Sequence, residues 1–130
     1  MTKLSLSMGA TPISALRNRF VMATPAPVHQ RITSDTLRIG QREFAVVAVP
    51  GHSLAQIAVV CDGVCFAADS FFGDAVLAKY GIPYAHDVNA QYASFDTIAH
   101  VDATAWIPGH GELTPSALLA TTIARNQQAV

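Results

Sequence analysis

Charge is what this chain has least of. Among its 130 residues only 8 are Lys or Arg and 9 are Asp or Glu, so the net charge is -1. Without a basic surplus there is no electrostatic footprint for a nucleic-acid backbone or an anionic membrane surface. No apolar run approaches the ~20 residues that a membrane helix needs. The opening stretch, Lys3-Leu4-Ser5-Leu6-Ser7-Met8, is too short and too polar for a signal-peptide core. These absences make a soluble, cytoplasmic protein the expectation. Cysteine is scarce too, with two in the chain. Cys61 and Cys65 flank Asp62-Gly63, and a two-residue turn there pairs Cys61 with Val64 and Val60 with Cys65. Side-chain alternation then sends the two sulfurs to opposite sheet faces. A disulfide between them is not expected, and buried, inert thiols are.

What the chain does have is apolar surface. Its hydrophobic fraction is 51% and its mean hydropathy +0.32. A domain this small carries proportionally more surface than a large one, so so apolar a chain is expected to cover part of that surface with something else.

Residues 1–34 carry the weaker signals. Ser14 to Met22 can form a short helix, and Pro25 and Pro27 impose an extended link. The pattern sharpens after that. Thr36–Ile39 and Glu43–Val49 read as strands around a turn at Gly40-Gln41. Gln56–Cys61 and Val64–Ala68 read as a hairpin. Asp74–Tyr80 makes two helical turns, stopped by Gly81 and Pro83. Asn89–His100 is helical, with Tyr92, Phe95, Ile98 and Ala99 at helical spacing. Ala103–Ile107 is a short strand ending at Pro108. Pro115–Gln128 is a last helix with Leu118, Leu119, Ile123 and Ala124 as its apolar positions. Strands followed by helix, strand and helix predict an α/β fold, a mixed sheet with helices on one face.

Three polar residues occupy equivalent places in that order. His52 follows the second strand through Pro50-Gly51. Asp69 ends the strand Val64–Ala68. His110 follows the next strand through Pro108-Gly109. The strand between the first two runs back, and a helical crossover makes the last strand parallel to its neighbour. All three residues are therefore expected at one sheet edge, formed by the carboxyl ends of strands, where open α/β sheets place their ligands. Two imidazoles and a carboxylate form a donor set that zinc, iron or manganese can use.

Three segments in this order carry a family resemblance: Val49-Pro50-Gly51-His52-Ser53, Asp62 through Asp69, and Ile107-Pro108-Gly109-His110-Gly111. The chain from about Thr36 onward resembles the metallo-β-lactamase superfamily. The resemblance implies a fold that is half of an αββα sandwich, with residues 35–130 as the C-terminal half and residues 1–34 as a lid-like or linker segment. It implies that His52 completes the first metal's histidine trio, that Asp69 bridges two metals, usually zinc, and that His110 binds the second. In the complete fold the family hydrolyses its substrates with a metal-bound hydroxide.

One departure from the family is large. Its His-x-His-x-Asp-His motif lies upstream of these three residues. Here His29 is the sole histidine before His52 and has no neighbouring ligand. The expectation is a chain that begins after that motif, as a truncated product, a clipped fragment or half of a split protein. Alone it is expected to be inactive or weakly active as a hydrolase, with an incomplete metal site. The alternatives are a non-catalytic binding or assembly module and a mononuclear metal protein using the three residues as a triad. The apolar strand face predicts a homodimer or a missing N-terminal half-domain as partner, with a small molecule as substrate if the site is active.

Other residues receive local readings. His86 and Asp87 sit in a loop where family members place substrate contacts, although loops expose polar pairs anyway. Phe72, just after Asp69, is either packing or the wall of a substrate pocket. His100 is expected to cap a helix, Trp106 to lie in the core, and Tyr84 and Tyr92 to pack with a wet hydroxyl.

Overall fold

The computed structural model describes residues 31–32, 34–81 and 84–130. The expectations for Ser14–Met22, Pro25, Pro27 and His29 lie outside them. Six strands form one sheet in the order of the chain: β1 (Thr36–Ile39), β2 (Arg42–Ala48), β3 (Ile57–Cys61), β4 (Val64–Ala68), β5 (Ala105–Pro108) and β6 (Thr114–Pro115). Helices α1 (Asp74–Tyr80) and α2 (Val88–Ala99) connect β4 to β5, and α3 (Ser116–Ala129) follows β6. Every neighbouring pair is antiparallel except β4 and β5, which the helical crossover makes parallel. The mixed α/β sheet expected from the sequence is present. Element ends differ from the expected ones by up to two residues.

Turn chemistry sets the register. At the β3–β4 hairpin both central residues take positive φ, 51° at Asp62 and 77° at Gly63. That conformation matches the twist of the flanking strands and explains the Asp-Gly pair. The pairing Val60↔Cys65 and Cys61↔Val64 is the expected one. Both thiols are free and buried. Burial pushes the Cys65 thiol up to about 11, so it stays protonated at neutral pH.

Cross-strand partners share a face, so the register sorts the sheet into two sides. One side presents Ala58, Cys65, Ala67 and Trp106 to Phe95 and Ile98 of α2 and Leu119 and Ile123 of α3; these residues form the core cluster. Val47 and Val60 pack at its margin. The other side carries Phe44, Val46, Ile57, Val59, Phe66 and Ile107. None of these joins that cluster, and Phe66 is 47% exposed.

The helices bury only part of the expected apolar pattern: Phe95, Ile98, Leu119 and Ile123. In α2 the buried residues are Gln91, Ser94, Phe95 and Ile98, and in α3 they are Leu119, Thr122, Ile123 and Asn126. Tyr92, Ala99, Leu118 and Ala124 face outward instead. Each helix is rotated so that two polar side chains enter the interior, and they do so beside the loops at the sheet edge. His100 caps α2 as expected, its Nδ1 lying 2.7 Å from the Asp96 carbonyl. Trp106 is buried, and Tyr92 packs on Phe95 while its hydroxyl donates to the Gln127 carbonyl. No helix among the described residues is long and apolar enough to cross a membrane.

Candidate metal centre

The turn after β2 is built around a backbone that only glycine can adopt. Gly51 has φ +135°, and a Cβ on it would lie 2.5 Å from the Cα and N of Gln91. Its carbonyl accepts from the backbone N–H groups of His86 (2.8 Å) and Asp87 (3.0 Å). The loop before α2 is thereby tied to this turn. His52 Nδ1 then lies 2.9 Å from the Tyr84 carbonyl. A carbonyl can only accept, so Nδ1 donates to it and Nε2 is the nitrogen left facing Asp69.

Asp69 follows a strained step. Ala68 has φ +50°, a left-handed conformation that costs a residue with a Cβ about 1 kcal/mol. The β4–β5 register shifts at the same place, and the shift re-aims the chain at the strand end. Gly109 N–H donates to the Ala68 carbonyl at 2.6 Å. The Asp69 carboxylate presses on Gly109 at the spot where a Cβ would stand.

Asp69 is the hub of the arrangement. One of its oxygens, Oδ2, lies 3.4 Å from His52 Nε2, and the other, Oδ1, lies 3.8 Å from His110 Nε2. The side chains of Asp69 and His52 are about three-quarters buried, whereas that of His110 is 66% exposed. The His110 ring stacks on Phe72 at 6.3 Å between centroids, 12° from parallel. The sequence expectation that the three residues share one sheet edge agrees with this geometry.

The donor chemistry of the cluster is compatible with a cation. With Nδ1 as donor, His52 Nε2 faces a carboxylate oxygen 3.4 Å away. Two acceptors facing each other repel unless a proton or a metal ion stands between them. Asp69 Oδ1 is buried and has no hydrogen-bond partner. Two donors of one tetrahedral ion with bonds of ~2.1 Å sit about 3.4 Å apart, comparable to the separations found here. Pairwise, the residues fit a metal. As a set they do not enclose one: no group of three His, Cys, Asp or Glu among the described residues can hold an ion by itself. The two statements agree once Asp69 is read as offering a different oxygen to each imidazole.

The residues singled out for substrate contact fare differently. Phe72 is buried, stacks under His110 and meets the His52 ring edge-on at 6.2 Å, so it floors both imidazoles. Asp87 is the N-cap of α2, its carboxylate accepting from Ala90 N–H at 3.0 Å. His86 meets the site through its backbone N–H.

Four residues with site roles carry no metal-ligand signal in the sequence. Tyr84 orients His52 with its carbonyl and packs its ring edge-on against it. Gln91 Nε2 donates to the Ser70 carbonyl at 2.6 Å, and Ser94 Oγ donates to the Pro50 carbonyl at 2.5 Å. Asn126 brackets Phe72, accepting from its N–H (2.8 Å) and donating to its carbonyl (2.9 Å). Positions 91, 94, 95 and 98 form one helical stripe, and the polar residues within that stripe were the available clue.

Solved structures with a similar fold include metallo-β-lactamase superfamily proteins. A family protein from Thermus thermophilus superposes over 98% of this chain with a TM-score of 0.67 and 18% identity. A metallo-β-lactamase from Pontibacter korlensis covers 74% with a TM-score of 0.59 and 19% identity. An archaeal superfamily protein from Sulfolobus tokodaii covers 69% with a TM-score of 0.55 and 17% identity. The chain therefore has part of the metallo-β-lactamase fold. It spans 43%, 47% and 36% of those three structures, less than half of each. Among curated proteins, a hydroxyacylglutathione hydrolase from Xanthomonas euvesicatoria pv. vesicatoria is 44% identical over 48 residues, 37% of this chain and 19% of that protein. No family model matches the sequence.

Proposed function

We propose that this chain supplies His52, Asp69 and His110 to a two-metal hydrolase centre whose remaining ligands come from a second polypeptide segment. The observation that carries the reading is the Asp69 carboxylate, flanked by a different imidazole at each oxygen and left with an orphaned buried Oδ1. Local likeness to a hydrolase supports hydrolysis as the reaction class.

In such a centre divalent ions, with zinc the first choice for this imidazole and carboxylate set, supply Lewis acidity and a nucleophile derived from water. The chain's own residues do the rest. The Tyr84 carbonyl keeps the Nδ1 proton on His52, so that Nε2 remains a ligand. Phe72 excludes water beneath the two rings. Asp69 offers one oxygen to each side.

Three ligands without a full set bind zinc weakly, and turnover by this chain alone is expected to be low. The sheet side bearing Val46, Val59 and Phe66 is the surface on which a second half-domain, or a second copy, would pack. Cobalt or zinc titration by calorimetry tests the reading. Expected is weak binding that is lost in Asp69→Ala. Wild-type protein with no measurable affinity, or with affinity indifferent to Asp69→Ala, overturns it. Light scattering at low micromolar concentration tests the partner: a dimer supports a second copy, and a well-behaved monomer rejects it.

A further inference from the structure

Two buried polar side chains on α2 have no part in the core, and each reaches a different ligand-bearing turn. Gln91 is 1% exposed and donates to the carbonyl of Ser70, the residue after Asp69. Ser94 is 1% exposed and donates to the carbonyl of Pro50, two residues before His52. They stand one helical turn apart on the face that also carries Phe95 and Ile98. A stripe built for packing alone would be apolar, because an amide or hydroxyl must be desolvated to enter it.

We propose that Gln91 and Ser94 are positioning residues that lock the His52 and Asp69 turns to one rigid helix and so fix the distance between imidazole and carboxylate. The inference rests on the metal-centre reading only for its purpose; the clamp itself can be observed without metal. Three further contacts make α2 the reference body. The backbone of Gln91 closes the space beside Gly51 so tightly that no Cβ fits. Asp87, which caps the helix, donates its backbone N–H to the Gly51 carbonyl, as does His86. The same loop presents the Tyr84 carbonyl to His52 Nδ1. A shift of α2 relative to the Pro50-Gly51 turn therefore alters the hydrogen bond that orients the His52 ring. Loosening Gln91 frees the backbone just beyond Asp69.

The test uses metal-free protein and follows amide hydrogen exchange at His86 and Asp87, whose N–H groups both donate to the Gly51 carbonyl. Wild type is expected to protect both amides. Ser94→Ala and Gln91→Met are expected to speed their exchange about tenfold or more, and the core variant Ile98→Val, compared at matched stability, is not. If both clamp variants keep the wild-type protection, or if Ile98→Val lowers it equally, the proposal is overturned. Cobalt titration of the same proteins separates the two readings. A wild type that binds no cobalt but shows the variant-dependent exchange sinks the metal centre and leaves the clamp standing. Where cobalt does bind, the clamp variants are expected to bind it about tenfold more weakly, as when outer partners of ligands are removed.

Discussion

Pro50-Gly51-His52 and Pro108-Gly109-His110 are the same tripeptide, placed after parallel strands at one sheet edge, and the fold treats them oppositely. The first is enclosed. Its glycine is forced into φ +135° against the backbone of Gln91, and its imidazole is bonded through Nδ1 to a carbonyl. The second is open. Its histidine is 66% exposed, held through its backbone by the Gly73 N–H (3.1 Å) and through its ring by stacking on Phe72. Gly109 is required by the Asp69 carboxylate beside it, and its φ is not in the left-handed region. Equal motifs thus carry unequal constraint: one imidazole is fixed in advance, and the other is free to adjust to what arrives.

The sharpest way to break this comparison is to add one methyl group to each glycine. Gly51→Ala meets fixed backbone and a forbidden φ together, so a loss of about 3 kcal/mol or more is predicted in urea unfolding. A loss below 1 kcal/mol would show that α2 can move away and that the first turn is not enclosed. Gly109→Ala meets mainly a carboxylate that can swing aside, and a loss of about 1.5 kcal/mol is expected. Its larger effect should fall on cobalt affinity, because the displaced group is the hub of the site. If Gly109→Ala proves the more destabilising of the two, the contrast is reversed. The smallest effects come from truncating the imidazoles. His52→Ala removes one hydrogen bond and is predicted to lower stability by about 1 kcal/mol. His110→Ala, at an exposed position, should stay within about 0.5 kcal/mol of wild type. Equal losses at the two positions would remove the distinction.

Most of the frame and the ligand-bearing turns could be read from the amino acids, because strand alternation, the Asp62-Gly63 turn and the Pro-Gly-His segments are local signals. His52, Asp69 and His110 converge as strand direction requires. The helix faces could not be read in the same way. Apolar spacing favours Tyr92 with Ala99 and Leu118 with Ala124, yet Gln91, Ser94, Thr122 and Asn126 turn inward. The carbonyls of Pro50, Ser70 and Phe72 need donors, and helix periodicity says nothing of a need that arises in another part of the chain. Asp87 shows the converse. Its place in a loop left a substrate contact and a solvated pair both open and gave no sign that its side chain caps α2. The Tyr84 carbonyl was illegible for a simpler reason, since every residue has one.

The bonds that hold the site have a consequence for the order in which it can form. The β1–β2 and β3–β4 hairpins close over two-residue turns. The site's bonds join residues much farther apart along the chain: 21 positions for Gln91 and Ser70, 32 for His52 and Tyr84, 44 for Ser94 and Pro50, and 54 for Asn126 and Phe72. Closing long loops carries an entropic penalty that only docked helices can offset, so such contacts form late while hairpins can form early. A chain with its hairpins made and its helices undocked already owns His52, Asp69 and His110 and has none of them aimed. The proposed competence to take up an ion therefore arrives last, as a property of the finished molecule.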